Sequence, residues 1–292
     1  MTLIEWTHRP GTRGESWNPI RARNLATSGV GHFCEHVSEG CRNCYAERMQ
    51  AHRFKNPIRY AAQDRGKVEI FLDEKVLTKP LRWPKPRTVF VSSMTDLFGE
   101  WVPEPWIDRI FAVMALCSRH TFIVLTKRPE RMREYMAGIR GWPLPNLWLG
   151  VSVEHRAARG RIDVLRATPC AIRFLSLEPL LEQLGVLDFR GIHWVIVGGE
   201  SGAKARPMHP NWARWIRDQC AAARVPFFFK QWGAWAPNET SPYRMIMSIG
   251  GVVDIPDHSA ANEDAGEVEM AQIGKKRAAA LLDGREHREW PI

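Results

Sequence analysis

Three cysteines carry the densest chemistry in the chain. Cys34, Cys41 and Cys44 lie in Cys-Glu-His-Val-Ser-Glu-Gly-Cys-Arg-Asn-Cys-Tyr, a C-x6-C-x2-C run. In a chain of this size, thiols gathered so closely point to metal or catalysis rather than to a disulfide framework. Structural zinc takes four tetrahedral ligands, and His32 or His36 would complete a Cys3His set. A [4Fe-4S] cluster is also held by thiolates. Three of them leave one iron open, and the amino-carboxylate end of S-adenosylmethionine suits an iron of that kind. Cys117, Cys170 and Cys220 are scattered in apolar or helical settings and read as packing residues.

A second set of reactive side chains follows short apolar runs. Ser93, Thr95 and Asp96 come after residues 88–92, Lys127 and Arg128 after 121–125, and Ser152 and Glu154 close 147–153. Glu178 follows 171–177, Glu200 follows 194–197, and Lys230 follows 226–229. Carboxylates and amines at successive run ends can transfer protons, pair with anions or, as Asp96, Glu154, Glu178 and Glu200, hold Mg2+ for a hydrolase or nuclease.

The elements that must position these groups form a repeating pattern. After about residue 85, a β-branched or aromatic run, a polar turn and a helix-like stretch recur at the length of a βα unit. Apolar runs without alternation imply strands buried on both faces of a parallel sheet. Amphipathic spacing predicts helices over 105–117 and 211–223, with Pro105 and Asn211 as start signals. The predicted fold class is α/β: a partial (β/α)6-type TIM-like barrel over residues 1–235, its functional groups at the carboxyl ends of the strands. Residues 236–292 lose strand periodicity. They are expected to form an irregular appendage, ending in a short helix over 273–282, that packs on the barrel.

Composition sets outer limits. The 292 residues hold 41 Lys plus Arg against 32 Asp plus Glu, a formal charge of +9, with 45% hydrophobic and 25% charged residues. Disorder and collagen-like structure are excluded. Apolar stretches such as 122–125 and 194–197 fall far short of the roughly 20 residues of a membrane helix. The opening Met-Thr-Leu-Ile-Glu-Trp is unlike a signal peptide. A soluble, cytoplasmic protein is expected. The charge, the basic residues Arg48, Arg53, Lys55 and Arg59, and 13 tryptophans suit a nucleic-acid or nucleotide-derived substrate.

At the motif level the chain resembles the radical SAM superfamily, whose usual motif is C-x3-C-x2-C followed by an aromatic. It is more closely similar to a phage- and prophage-associated family of three-cysteine proteins placed near those enzymes. The resemblance rests on Ser16-Trp17-Asn18-Pro19, Gly40-Cys41-Arg42-Asn43-Cys44-Tyr45, Val91-Ser92-Ser93-Met94-Thr95-Asp96, Leu125-Thr126-Lys127-Arg128-Pro129, Gly150-Val151-Ser152-Val153-Glu154, Leu177-Glu178-Pro179, Gly198-Gly199-Glu200-Ser201 and Phe229-Lys230-Gln231-Trp232. The plan also looks like that of spore photoproduct lyase. Here the first cysteine gap is six residues, and residues 21–33 look like an insertion of no assigned role.

The resemblance implies a radical SAM enzyme: a [4Fe-4S] cluster on Cys34, Cys41 and Cys44, reduced by an external electron donor, cleaving S-adenosylmethionine to a 5′-deoxyadenosyl radical. It allocates Ser93, Thr95 and Asp96 to the SAM amino group, Ser152 and Glu154 to its ribose, and Lys127 with Arg128 to its carboxylate or a substrate phosphate. Glu178, Glu200 and Lys230 would then face the substrate, with Gly198-Gly199 permitting a tight turn. The competing readings are a zinc-stabilised nucleic-acid-binding protein and the Mg-dependent hydrolase.

Overall fold

The computed structural model describes residues 4–54, 56–139, 143–237, 244–253 and 266–291. The chain gathers into two compact units, Met1–Val151 with Arg161–Arg173, and Ser152–Gly160 with Phe174–Ile292.

The first unit begins with Arg13–Trp17 (β1), Ile20–Asn24 (β2) and Val30–Gly31 (β3). Tyr45–Arg53 (α1), Val68–Leu72 (β4), Glu74–Leu77 (α2), Arg87–Val91 (β5), Glu104–Leu116 (α3), Thr121–Thr126 (β6), Pro129–Gly138 (α4), Leu147–Ser152 (β7) and Gly160–Arg166 (α5) follow. β1 pairs in parallel with β5, β5 with β6, and β6 with β7. The last two owe their place to apolar content: Phe122, Ile123 and Val124 are fully buried, and so is every position of β7. Each buried Leu, Ile, Val or Phe side chain among them contributes roughly 1.5–3 kcal/mol. α3 buries Ile107, Ile110, Phe111 and Met114, the i, i+3, i+4, i+7 stripe of a helix against a core.

Between β1 and β5 the chain makes an excursion. β2 pairs antiparallel with β3 and with β4 in a separate three-stranded sheet. Residues 21–33, the apparent insertion, are therefore largely the β2–β3 hairpin. The register from Ile20↔Leu72 to Asn24↔Val68 clamps the two ends of the segment that carries the cysteines.

The second unit holds Ile172–Leu177 (β8), Trp194–Gly198 (β9), Pro210–Ala223 (α6) and Phe227–Gln231 (β10). They are followed by Trp235–Pro237 (β11), Arg244–Ser248 (β12), Gly251–Val253 (β13), Val268–Gln272 (β14), Lys275–Ala278 (α7), Leu281–Leu282 (β15) and Arg285–Glu286 (β16). β8, β9 and β10 pair in parallel. The central sheet takes the order β1-β5-β6-β7-β8-β9-β10, and its described pairings are all parallel. The fold is α/β, a partial TIM-like barrel with a C-terminal appendage, as the recurring βα pattern predicts.

The appendage differs in detail from its prediction. It is a four-stranded sheet of order β11-β14-β12-β13 followed by the β15–β16 hairpin. The helix expected over 273–282 is confined to α7. Ala279 adopts φ 56° at its end and Leu282 is buried in the hairpin, so tertiary burial overrides the helix propensity of the lysine- and alanine-rich stretch. Beyond it, His287 O accepts from Phe229 N at 2.8 Å and Glu289 O from Trp194 Nε1 at 2.7 Å, which seats the tail on β9 and β10. Residues Asn262-Glu263-Asp264, part of the predicted appendage, lie outside the described residues. No described helix is long and apolar enough to cross a membrane.

Candidate functional site

In the first unit the carboxyl ends of β5 and β6 meet around one carboxylate. Asp96 is 7% exposed. It accepts from Thr126 Oγ1 at 2.7 Å, from Lys127 N at 3.1 Å and from Arg128 Nη1 at 3.1 Å, and it closes its own turn by accepting from Phe98 N at 3.0 Å. Arg128 also donates to Glu35 O at 3.3 Å and lies 4.7 Å over the Trp101 ring. A buried ion pair survives only when its remaining hydrogen-bonding capacity is filled, as it is here.

The loop after β5 is pinned by the cysteine-bearing segment. Ser93 exchanges hydrogen bonds with the Asn18 amide, whose Oδ1 also accepts from Met94 N at 3.0 Å. Thr95 Oγ1 donates to Phe33 O at 2.5 Å, Tyr45 Oη to Ser93 O at 2.6 Å and Tyr60 Oη to Met94 O at 2.8 Å. Ser93, Thr95, Asp96 and Lys127 thus lie in one hydrogen-bonded neighbourhood. Asn18 and Tyr60 were not foreseen as site residues: Asn18 stands in the singled-out Trp-Asn-Pro motif, but nothing in the sequence marks Tyr60.

The three cysteines are partly buried free thiols within electrostatic reach of one another. Burial, with Asp96 and Cys44 nearby, pushes the Cys34 thiol well up. Burial raises Cys44 too, opposed by the amides of Glu47 and Ala46 and by the Lys127 ammonium. Each sulfur engages its own neighbours. Cys34 Sγ donates to Glu35 O at 3.8 Å, Cys41 Sγ bonds Ser38 Oγ at 3.9 Å, and Cys44 takes the first amides of α1. Cys34 and Cys44 pack against Ala46, Tyr60 and Met94. The histidines turn elsewhere: His32 Nδ1 bonds Ile20 O at 3.1 Å, and His36 Nε2 lies 3.0 Å from Glu47 Oε2.

In the second unit two of the rim carboxylates, Glu178 and Glu200, are paired with cations. Glu178 accepts from Lys230 Nζ at 2.7 and 2.9 Å and from Gln231 Nε2 at 3.3 Å. Glu200 takes Arg206 through N at 2.8 Å, Nε at 3.0 Å and Nη2 at 2.7 Å. Glu154 and Ser152 are buried, with Leu181 N donating to Glu154 O at 3.0 Å. The two glycines before Glu200 serve proximity rather than a left-handed turn. A Cβ on Gly199 would stand 1.9 Å from Trp232 O, and one on Gly198 would stand 3.2 Å from Glu178 Cδ.

The model of a family described as a protein of unknown function, DUF5131, matches residues 1–291. The chain belongs to this family. No curated protein and no solved structure matches it. Membership in a family of unknown function replaces the resemblance to radical SAM enzymes and to the three-cysteine phage family.

Among the described residues no group of three or more His, Cys, Asp or Glu side chains could hold a metal ion. That finding corrects the [4Fe-4S] and S-adenosylmethionine assignments, the radical SAM activity built on them, and the zinc and Mg2+ alternatives. The physical reason lies in donor direction. Spacing brought Cys34, Cys41 and Cys44 near one another, but their sulfurs are spent on separate local hydrogen bonds and an apolar cluster. Of the basic run, Lys55 and the Arg53 side chain lie outside the described residues.

Proposed function

We propose that the carboxyl edge of the first unit binds a nucleotide or a nucleic-acid-derived ligand. The observation that carries this reading is the placement of Tyr45. The residue is 43% exposed while its hydroxyl is tied to Ser93 O at 2.6 Å, so the aromatic side chain is held in a fixed pose at the strand ends. It stands next in the chain to Cys44, close to which lies the Lys127 ammonium. A ring to stack on and a cation at the same strand ends are the two parts that recognise a base and its phosphate. The Asp96 network supports the reading, because it fixes the backbone that launches Lys127. Ser93 and the Asn18 amide add polar groups suited to a ribose or a base edge. In the second unit the Glu178–Lys230 and Glu200–Arg206 pairs are internally matched, and no acid–base step is assigned to them. A cytoplasmic setting is supported by six free cysteines, the state that a reducing compartment maintains.

Calorimetric titration of the full chain with nucleoside mono- and triphosphates and with short oligonucleotides tests the proposal. Stacking contributes about 1–3 kcal/mol per base. Tyr45→Leu should therefore weaken binding about 5- to 150-fold, while Tyr45→Phe keeps most of the affinity and Lys127→Gln weakens phosphorylated ligands more than nucleosides. Absence of binding to all these ligands, or affinities that Tyr45→Leu and Lys127→Gln leave unchanged, overturns it.

A further inference from the structure

The opposite ends of the same strands form a cleft that the proposed ligand site does not use. It has a volume of about 470 Å³ and lies between residues 11–13 and 84–87, at the amino ends of β1 and β5. Arg13, Lys85 and Arg87 line it and no carboxylate does. Arg87 is balanced by Glu15, whose Oε2 accepts from its Nη1 at 2.6 Å, and its guanidinium lies 4.5 Å over the Trp83 ring. Arg13 and Lys85 are exposed and, among the described residues, have no acidic partner.

The walls are stiff. Pro84 and Pro86 flank Lys85 with fixed backbone angles. Gly11 makes its turn at φ 77°, a region open to glycine at no steric cost. Thr12 Oγ1 is held 2.7 Å from Thr88 Oγ1. Positive charge extends past the cleft: Lys79 and Arg82 stand on the preceding turn, and Arg119 donates to Trp83 O at 3.1 Å and to Leu81 O at 3.3 Å.

We infer that this cleft is a phosphate-binding site, and that the line of cations from Lys79 to Arg87 extends it into a track for successive phosphates. Cations without a matching carboxylate, as Arg13 and Lys85 are, attract phosphate, and the stiff backbone beneath them limits what must be ordered on binding. The phosphate can belong to a nucleic-acid backbone or to a small phosphorylated molecule, and the experiment separates the two.

The full chain is titrated into a fluorescein-labelled single-stranded oligonucleotide at several salt concentrations, and separately into inorganic phosphate by calorimetry. Three proteins are compared: the native chain, the double variant Arg13→Gln with Lys85→Gln, and a charge-matched control, Lys276→Gln with Arg285→Gln, on exposed positions of the appendage. Circular dichroism melting confirms that all three fold. With a nucleic-acid ligand, the cleft variant binds the oligonucleotide about tenfold more weakly and its log K against log salt flattens by about 1.4, some 0.7 per lost contact, while the control behaves as native. Inorganic phosphate binding that disappears in the cleft variant, without oligonucleotide binding, assigns the cleft to a small phosphorylated ligand. Equal losses in both double variants, or no binding of either probe to the native chain, overturns the inference.

Discussion

Acid should loosen the segment that carries the cysteines, and His32 sets the size of the effect. Its ring is 3% exposed, with Nδ1 donating to Ile20 O at 3.1 Å and Phe54 edge-on at 5.3 Å. Burial first, and then the Arg21 guanidinium, lower its pKa from 6.5 to about 4, against the opposing pull of the Ile20 carbonyl. Folded His32 therefore stays neutral over a range in which the unfolded chain takes up a proton. Stability from this group is complete above pH 6.5, falls as the pH drops toward 4 and levels off below that. At about 1.4 kcal/mol per pH unit, the loss approaches about 3 kcal/mol.

His120 and His209 are lowered in the same direction, so the raw pH slope does not isolate His32. His32→Asn keeps a donor for Ile20 O and removes the titration. Urea unfolding at pH 7 and pH 4 should show the stability gap between native and His32→Asn narrowing by about 3 kcal/mol. Imidazole NMR should find His32 still neutral at pH 5. A gap that stays constant, or an ordinary imidazole titration near 6.5, refutes the reasoning.

Three substitutions probe the scaffold. Asp96→Asn leaves Arg128, itself 12% exposed, without its carboxylate and should cost about 3–5 kcal/mol in urea unfolding. Tyr60→Phe strips the donor from Met94 O in a buried setting and should cost about 1–3 kcal/mol by the same assay. Gly199→Ala forces a Cβ into Trp232 O and should leave little folded protein, whereas Gly138→Ala, where nothing lies within 4 Å, should raise the thermal midpoint through a gain of about 0.5–1 kcal/mol. Soluble yield and circular dichroism melting distinguish these two outcomes.

The strands from β5 to β10 were legible because burial on both faces writes itself as an unbroken apolar run. β1 was not. It is the edge of the sheet, and in Arg-Gly-Glu-Ser-Trp only Gly14 and Trp17 are buried. β2 alternates buried and half-buried positions, but Arg21 and Arg23 on its open face hide it. At the site, sequence order predicted that groups at successive strand ends would gather, because a parallel sheet aligns its carboxyl ends. It carried no record of which way each group points. Asp96 faces inward to Thr126 and Arg128, Glu200 closes on Arg206 six positions later, and the three sulfurs face three local partners. Side-chain direction depends on partners distant in sequence such as Asn18, which lies far from Met94 along the chain yet accepts from its amide.

The antiparallel clamp between β2 and β4 has a consequence for how the family can vary. Because Asn24 faces Val68 in the ladder, residues 25–67 leave and re-enter the scaffold at a single point. Their length is decoupled from the register of β1 on β5, which is set at other positions. The segment bearing Cys34, Cys41, Cys44 and Tyr45 can therefore change in length without shifting that register, provided its bonds to Ser93, Met94 and Thr95 are kept.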